Sequence, residues 1–402
     1  MNTLLGLLLL LAPAAYAIRM LQFRRAWTLA PNLYQASAAP LVSAPNKLPV
    51  TANEFGTRGE TSPQLSVLIA ARNEAHTLPL LLADLQRQCL AASKFEVVVV
   101  DDHSTDDTAT IVSEAVPHSP FALRLLRLQD LSGPLRTGKK AALQEAIATA
   151  RAPWVVCTDA DCRVSPDWLL AYHAAHDAGA HFVSGPVFLT GQGILAELQG
   201  LELAGLVASG AAGILLGAPT MCNGANLSYR RTSFAAVNGF SGNTHVASGD
   251  DEFLLHKLHA AYPSGIRFLK HEQAVVRTAA QPTVRQLLRQ RVRWASKWQH
   301  YRAAAPRRLA VLVLAANVAL AAGVLALPWQ PGLGLWTVAA WVVKLGADVV
   351  FLTPVLRFFN RLRWLLWVPV LQLAYGPYAL LVGVAGLGGG YEWKGRRVKG
   401  GK

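Results

Sequence analysis

The chain has 402 residues, of which 52% are hydrophobic and only 15% are charged. Soluble domains usually carry about 25% charged residues, so the composition excludes an ordinary soluble protein and predicts that part of the chain lies in a bilayer. The 38 basic and 24 acidic residues give a net charge of +14. Because the basic residues concentrate beside apolar segments, they favour membrane lipid or phosphate ligands, and no nucleic-acid partner is expected.

The N-terminal segment reads as a membrane anchor. Thr3 to Ile18 is a nearly uncharged apolar run, and Arg19, Arg24 and Arg25 follow it. A cleavable signal peptide carries its positive charge before the apolar run. By the positive-inside rule we expect residues 1–25 to anchor the chain with the N-terminus outside and the rest in the cytoplasm, although the run is short for a full span. Residues 26–62, rich in Pro, Ala, Asn and Thr, read as a linker.

Residues 63–305 alternate between short β-branched runs and amphipathic helical stretches. The candidate strands are Leu65–Ala71, Phe95–Val100, Leu123–Leu128, Trp154–Thr158 and His181–Val187, and the candidate helices are Leu78–Gln88, Thr108–Ala115, Lys140–Ala150 and Pro166–Ala178. Such alternation predicts a doubly wound, mostly parallel α/β sheet whose ligands bind beyond the carboxyl ends of the strands.

The segment from Ile194 to Gly217 is apolar, but Glu197 and Glu202 interrupt it. A carboxylate in the middle of a bilayer costs roughly 2.5 kcal/mol or more. We therefore expect a helix that lies on the domain or on the membrane surface.

Residues 306–390 are expected to form a transmembrane bundle, because Leu309–Leu327, Leu333–Leu356 and Leu362–Leu387 are long and apolar. Lys344 and Asp348 lie one turn apart, and we expect them to pair facing the bundle.

Three full crossings would leave the basic tail, residues 391–402, outside the cell, against the positive-inside rule. We expect one segment to be re-entrant or in-plane. Pro369 and the Gly376-Pro377 pair make the last segment the candidate, since they break helix continuity.

The four cysteines, Cys89, Cys157, Cys162 and Cys222, lack the paired spacing of zinc sites. We expect core thiols, kept reduced in the cytoplasm.

Four polar clusters carry the chemistry. Asp101 and Asp102 end a valine-rich strand, where adjacent carboxylates need a donor or cation. Asp159-Ala160-Asp161 follows another strand, and on extended chain both carboxylates point the same way and can reach one Mg²⁺ or Mn²⁺. Such clusters also arise as helix caps, and a lone D-x-D sequence occurs by chance.

Asp250-Asp251-Glu252 precedes an apolar helical run, and Gln290-Arg291-Val292-Arg293-Trp294 lies in a basic helical stretch. Taken alone, the first also reads as acids that stabilise a helix N-terminus, and the second as an interface helix with snorkelling side chains.

Taken in order, these motifs resemble the family 2 glycosyltransferases, including the membrane-integrated synthases of cellulose, hyaluronan and poly-N-acetylglucosamine. The resemblance covers roughly Leu65 to Tyr301. It implies a GT-A type, Rossmann-like nucleotide-sugar-binding domain joined to transmembrane helices in a bacterial inner membrane. We expect the clusters to converge on one water-accessible pocket beside the bilayer.

The resemblance also implies roles for individual residues. Ala71, Glu74, Asp101 and Asp102 would hold the uridine part of the donor, with Lys139 or Lys140 near the nucleotide. Asp161, helped by Asp159, would coordinate the divalent metal on the diphosphate, and Asp251 would be the catalytic base. The diphosphate and acceptor side would include Asn223, Gly224, Asn226, Asp250, Gln290, Arg291, Arg293 and Trp294.

One base without a nucleophilic intermediate predicts an inverting transfer from a UDP-sugar or other nucleotide sugar. A lipid-linked or membrane-associated acceptor is favoured, because the basic stretch from Arg285 to Arg308 leads from the site into the membrane. The alternative is a processive polysaccharide synthase. That alternative would need a small membrane partner subunit or an oligomer, since no gating-loop sequence is evident after Trp294 and the bundle is small.

Two other classes are disfavoured. No G-x-G-x-x-G follows the first strand, which argues against a dinucleotide-dependent oxidoreductase. All candidate catalytic positions are present, which argues against an inactive scaffold.

Overall fold

The structure is a computed structural model, which describes residues 2–33, 62–132, 135–176, 179–242, 249–297 and 303–387 and the backbone of 390–393 and 396–399. The strands are β1 Leu65–Ala71, β2 Phe95–Asp101, β3 Ala122–Arg127, β4 Trp154–Asp159, β5 Phe182–Ser184, β6 Val187–Thr190, β7 Leu227–Arg230, β8 Ile266–Phe268, β9 Val276–Ala279, β10 Gly390–Trp393 and β11 Arg396–Lys399.

Twelve numbered helices connect or follow these strands within the described ranges. They are α1 Asn2–Thr28, α2 Leu78–Gln86, α3 Thr108–Ala115, α4 Lys139–Thr149, α5 Trp168–Ala175, α6 Ile194–Leu215, α7 Arg231–Ala236, α8 Asp250–Ala261, α9 Val284–Ala295, α10 Ala304–Ala326, α11 Gly334–Phe358 and α12 Val368–Leu387.

The centre of the α/β part, residues 63–297, is a seven-stranded sheet in the order β3-β2-β1-β4-β7-β5-β8. Strands β1 to β4 are mutually parallel, whereas β7 runs antiparallel to β4 and β5. The residues of β1 and β2 are almost all buried, as expected for parallel strands covered on both faces. The predicted α/β fold is confirmed, with β7 making the sheet mixed.

The predicted strand over residues 181–187 is two strands in the structure. Strand β5 belongs to the main sheet, while β6 pairs with β9 in a separate two-stranded sheet. Gly185 and Pro186 lie between them, and proline has no N–H to continue a ladder. The chain therefore changes sheets at this point.

Helix α1 is longer than the sequence suggested. It spans 27 residues, or about 40 Å at ~1.5 Å per residue, because it continues through the basic residues after the apolar run. Its end docks on the α/β part: Trp27 is fully buried against Phe268 and Phe358, and Lys270 Nζ donates to the Trp27 carbonyl at 2.6 Å. The expectation that the anchor is short for a full span was wrong.

Helices α1 and α11 run parallel. The starts of the two helices meet, since a Cβ on Gly6 would touch the Trp336 ring, and their ends meet at Trp27 and Phe358. Between these points the predicted pair is confirmed: Lys344 Nζ lies 2.9 Å from Asp348, whose other oxygen accepts the Tyr16 hydroxyl at 2.5 Å. The pair is thus neutralised inside the bundle.

Helix α6 packs between the sheet and the membrane helices, and 67% of its apolar window is buried within the protein. Both of its acids are paired. Glu197 accepts from Arg363 at 2.6 Å and from Trp367 Nε1 at 2.8 Å. The sequence-based expectation that this helix lies against the domain agrees with these contacts.

Helix α12 contacts helices α6 and α9 of the α/β part along its length. Trp367, just before the helix, donates to Glu197; Tyr378, in the middle, donates to Glu202; and Gly386, at the end, lies against Ala295 of α9. These contacts hold α12 beside α6 and α9. That the last segment is in-plane or re-entrant stays a prediction.

Five helices of the described residues, α1, α6, α10, α11 and α12 with their short extensions, are long and apolar enough to cross a membrane. Cys157, Cys162 and Cys222 are buried as predicted, but Cys89 is exposed, so the expectation was wrong for that thiol. Most of the predicted linker, Tyr301 and parts of the basic tail lie outside the described residues.

Candidate active site

One cavity of about 1070 Å³ lies where the central strands end. All but two of the residues that the sequence placed in the site line it: Ala71, Glu74, Asp102, Lys139, Lys140, Asp159, Asp161, Asn223, Gly224, Asp250, Asp251, Gln290, Arg291, Arg293 and Trp294. The expected convergence of the polar clusters on one pocket is therefore observed. Asp101 and Asn226 are the exceptions.

Asp102 shapes the wall formed by the ends of β1 and β2. Its Oδ2 accepts the backbone N–H of Gly138 at 2.9 Å, which ties the start of α4 to the end of β2. Arg72 donates to the carbonyls of Asp102 and His103, each at 2.7 Å. These bonds hold the two strand-end loops together at the mouth of the cavity.

Asp101 does not line the cavity. It is 2% exposed, and its carboxylate accepts the N–H of Ser104 at 3.2 and 3.3 Å. Asp101 is the last residue of β2, and it is the next residue, Asp102, that lines the cavity. The prediction that Asp101 contacts the donor was wrong, and the residue caps the turn after β2.

The D-x-D sequence lies at the end of β4, but only Asp159 is in the strand. Asp161 lies in the following turn, so the extended geometry predicted for the pair is wrong, although both residues line the cavity. Asp159 Oδ1 lies 2.5 Å from Lys139 Nζ. Within the part of the chain that the structure describes, no group of three or more His, Cys, Asp and Glu side chains could hold a metal by itself.

The acids of α8 enter the cavity at the start of the helix. Gly249 precedes them with a φ of +82°, a conformation that glycine adopts without strain. Asp251 Oδ2 accepts the Gly224 N–H at 2.8 Å, and its Oδ1 accepts the Glu252 N–H at 2.8 Å. A Cβ on Gly224 would lie 3.1 Å from Lys139 Nζ, so the missing side chain lets the turn approach these charges.

The two adjacent acids differ in proton affinity. Burial raises the pKa of Asp251, but the positive charges of Lys297 and Lys139 and two backbone N–H donors more than offset it, so the pKa lies below the ordinary value. Burial raises the pKa of Asp250, and the neighbouring Asp251 and Asp159 raise it further, against the opposing effect of Lys139. Of the two carboxylates, Asp251 therefore binds its proton less tightly and is ionised at neutral pH.

Lys139 lies among these acids. Its Nζ is 2.5 Å from Asp159 and 3.7 Å from Asp250. Burial lowers the pKa of Lys139, but Asp159 and Asp250 raise it by more, so it lies well above its usual range. The ammonium is thus a permanent cation at the centre of the site.

Lys297, just beyond α9, is a second buried cation that the sequence reading missed. Its Nζ lies 3.1 Å from Glu252 Oε2 and 3.9 Å from Asp251 Oδ1. Burial raises the pKa of Glu252 to about 7, although Lys297 lowers it. The sequence does contain a signal for this residue, since Lys297 lies three residues after Trp294 and continues the basic motif.

Arg291 in α9 binds protein groups. Its Nε and NH2 donate to Glu202 of α6 at 3.1 and 2.7 Å, its NH1 donates to Gln290 at 2.5 Å, and its guanidinium lies 4.2 Å from the centre of the Trp294 ring. Tyr378 of α12 donates to the other oxygen of Glu202 at 3.0 Å. Arg291 therefore borders the cavity while fixing α9 to the membrane helices.

Asn226 is a structural anchor outside the cavity. It is fully buried, its Oδ1 accepts from Trp168 at 3.1 Å and from Tyr172 at 2.8 Å, and its Nδ2 donates to the carbonyls of Pro186 and Ala274. Every hydrogen-bonding site on the amide that such a geometry allows is used within the protein. The prediction that Asn226 contacts the diphosphate or acceptor was wrong.

Two family models match the chain. The model described as glycosyl transferase family 2 matches residues 66–237, and the one described as glycosyl transferase family group 2 matches residues 154–379, more than half of the chain. The chain belongs to glycosyltransferase family 2. It is therefore a glycosyltransferase, and the two matched ranges together include the cavity lining except for Leu380, Val382, Gly383 and Val384.

Similar proteins agree with this assignment. Poly-β-1,6-N-acetyl-D-glucosamine synthase of Staphylococcus aureus is 26% identical over 235 residues, 58% of this chain and 53% of the relative. β-Monoglucosyldiacylglycerol synthase of Nostoc sp. is 31% identical over 108 residues, 27% of this chain and 22% of the relative. The chain thus spans at most about half the length of these curated relatives.

Among solved structures, a mannosyltransferase from Pyrobaculum calidifontis in complex with GDP-Man and Mn²⁺ aligns with a TM-score of 0.52 at 22% identity. The alignment covers 93% of this chain and 99% of that one. At this identity the likeness concerns the fold, and it supports the GT-A architecture of the sheet and its helices.

Proposed function

We propose that this chain is an inverting, divalent-metal-dependent glycosyltransferase that moves a sugar from a nucleotide sugar, in the first place a UDP-sugar, to a lipid-linked or other membrane-associated acceptor. The observation that carries the proposal is the position of Asp251. Its ionised carboxylate lies at the start of α8 and lines one cavity with Asp102, Asp161 and Arg293. A base, a diphosphate-binding side and a nucleotide-binding wall are thereby within reach of one bound donor.

In the proposed reaction the acceptor hydroxyl attacks the anomeric carbon and gives its proton to Asp251, while the bond to the nucleoside diphosphate breaks. A single displacement from the face opposite the leaving group inverts the anomeric configuration. Lys139 and Arg293 offset the charge that develops on the diphosphate, in fixed positions that need no reorganisation.

The acids present fit a metal bound together with the donor. Mg²⁺ is commonly held by one or two carboxylates plus substrate phosphates, and Asp159 and Asp161 supply two carboxylates on the cavity wall. The ion would neutralise diphosphate oxygens as a Lewis acid. The Mn²⁺ in the mannosyltransferase complex supports this proposal by analogy of fold.

We also propose a membrane arrangement. Helices α1, α10 and α11 would cross the inner membrane, with residues 63–305 as the catalytic domain on the cytoplasmic side and residues 306–390 completing the membrane part. Because α12 remains against α6 and α9, the basic tail of residues 391–402 would also be cytoplasmic. This arrangement satisfies the positive-inside rule.

The processive alternative is supported by the similarity to poly-β-1,6-N-acetyl-D-glucosamine synthase. Under this alternative the same residues would act on a growing polysaccharide. A product that lengthens without release would favour it over transfer of one or a few sugars.

The test is metal-dependent turnover of UDP-sugars and GDP-sugars by membranes that hold the protein. Asp251→Asn should lower the rate by roughly 10²-fold or more, the range expected for loss of a general base. Asp130→Asn, on an exposed residue that does not line the cavity, is the matched control and should leave the rate unchanged. Undiminished turnover in Asp251→Asn would remove the proposed mechanism.

A further inference from the structure

The cavity has a second limb that leaves the acidic site and runs between α10 and α12. Its walls are apolar, with Leu309, Val313 and Leu314 on one side and Ala379, Val382 and Gly383 on the other. From Pro306 beside the site to Asn317 the limb follows α10 for about 16 Å at the helical rise of ~1.5 Å per residue.

We infer that this limb holds the hydrocarbon tail of the acceptor, so that the acceptor is an amphiphilic lipid whose hydroxyl-bearing head reaches Asp251. The inference rests on the proposed function and names the acceptor class for the same site. Its basis is continuity, since a single cavity joins the proposed base to an apolar groove.

The volume of the cavity supports two ligands. At about 1070 Å³ it reaches the upper end of the range of roughly 300–1,000 Å³ for pockets that bury one small molecule. The donor-side residues occupy only the polar end. The apolar limb therefore remains for a second substrate after the nucleotide sugar has bound.

The chemistry of the limb favours a lipid tail over a sugar chain. A polysaccharide brings several hydroxyls per residue, and a hydroxyl buried without a partner costs about 1–3 kcal/mol. Asn317 already donates to the Val313 carbonyl at 2.7 Å, and Tyr378 donates to Glu202. Methylenes in the same place gain about 0.8 kcal/mol each.

Gly383 lies on this wall in a position suited to a test. A Cβ added there would meet no atom within 4 Å, so a leucine can begin its side chain at this position without displacing a neighbour and adds apolar volume to this wall. Gly346 of α11 is the matched control. It is also exposed and also has no atom within 4 Å of an added Cβ, but it does not line the cavity.

The experiment compares wild type, Gly383→Leu and Gly346→Leu in membranes supplied with radiolabelled UDP-sugars and GDP-sugars. Two products are measured: label that enters an organic-solvent extract, and label released as free sugar by transfer to water. Since each excluded methylene corresponds to about a fourfold loss of binding, Gly383→Leu should lower lipid labelling about tenfold or more. Sugar release should stay within about twofold of wild type, and Gly346→Leu should leave both products unchanged.

A second variant on the opposite wall, Ala310→Leu, should reproduce the selective loss. The inference is overturned if Gly383→Leu leaves lipid labelling intact, if it lowers both products equally, or if the label enters an insoluble polymer. Wild-type membranes that turn over none of the donors would instead remove the proposed function itself. The two failures are therefore distinguishable.

Discussion

Replacing Lys297 with methionine removes a cation from beside Asp251, the proposed base, and Glu252, while keeping a side chain of similar length. The Lys297 ammonium is nearly buried, 3.9 Å from Asp251 and 3.1 Å from Glu252. In the wild type, burial raises the pKa of Asp251, and Lys297 is the largest of the charges that lower it. We therefore expect Lys297→Met to make Asp251 easier to protonate and to impair it as a base at mildly acidic pH.

The size of the effect follows from the distance. At 3.9 Å and an effective dielectric constant of about 20, two unit charges attract by about 4 kcal/mol. Lys139 still contributes a positive charge near Asp251 in the variant, so this value is an upper bound. Losing about 1.4 kcal/mol of this attraction already changes the protonation equilibrium of Asp251 tenfold. An effect much smaller than the upper bound is therefore measurable.

The assay is the pH dependence of kcat/KM for sugar transfer. In wild type, Asp251 stays ionised to low pH, and the acidic limb should lie at low pH. In Lys297→Met we expect the limb to move to higher pH, with activity retained at pH 8 and lost progressively below it. Lys297→Arg keeps the charge and should retain the wild-type profile. A folded Lys297→Met protein with an unmoved acidic limb would refute the electrostatic role.

Three further predictions concern stability. Asn226→Ala should lower the melting temperature and the protein yield, because each buried partner left without a hydrogen bond costs about 1–3 kcal/mol. Asn223→Ala, on the cavity wall, should instead change the KM for substrate with little effect on the melting temperature. Arg291→Met should destabilise the protein by about 3–5 kcal/mol, because it leaves the Glu202 carboxylate without its cation. Adding Glu202→Gln should restore much of the melting temperature. Burial raises the pKa of Glu252 from 4.5 to about 7, so the native state binds this proton more tightly than the unfolded state does. The free energy of unfolding therefore falls as pH rises from about 4.5 to about 7. The melting temperature of Glu252→Gln should depend less on pH between 5 and 8 than that of the wild type.

Much of the fold could be predicted from the sequence because its elements are strongly patterned. Strand β2 is a run of four valines bounded by charged residues, and helix α3 was predicted with the same bounds that the structure has. The break at Pro186 was missed, since the sheet to which each short strand belongs depends on its distant partners, β8 and β9.

The site was predicted in outline for a similar reason. Acids that follow buried strands collect at one edge of a parallel sheet, which brought Asp102 and Asp159 together. What sequence could not resolve was orientation. Asp101 and Asn226 have the residue types that the motif requires, but neither lines the cavity. Asp101 accepts the Ser104 N–H, and the Asn226 amide makes four hydrogen bonds within the protein.

The two arginines of the basic motif on α9 have different environments, since Arg291 binds protein groups. Its Nε, NH1 and NH2 groups donate to Glu202 and Gln290, and its guanidinium carbon lies 4.2 Å from the centre of the Trp294 ring. A guanidinium held in this way positions the helix and cannot also turn to a diphosphate without breaking a buried ion pair. In the proposed reaction, charge neutralisation on the leaving group would therefore fall to Arg293 and Lys139. Tyr378 of α12 donates to the same Glu202 that pairs with Arg291 of α9. Helix α9, which carries Arg293, is therefore fixed to α12, and α12 also forms one wall of the apolar limb. The proposed donor and acceptor sides are thus held in place by the same contacts.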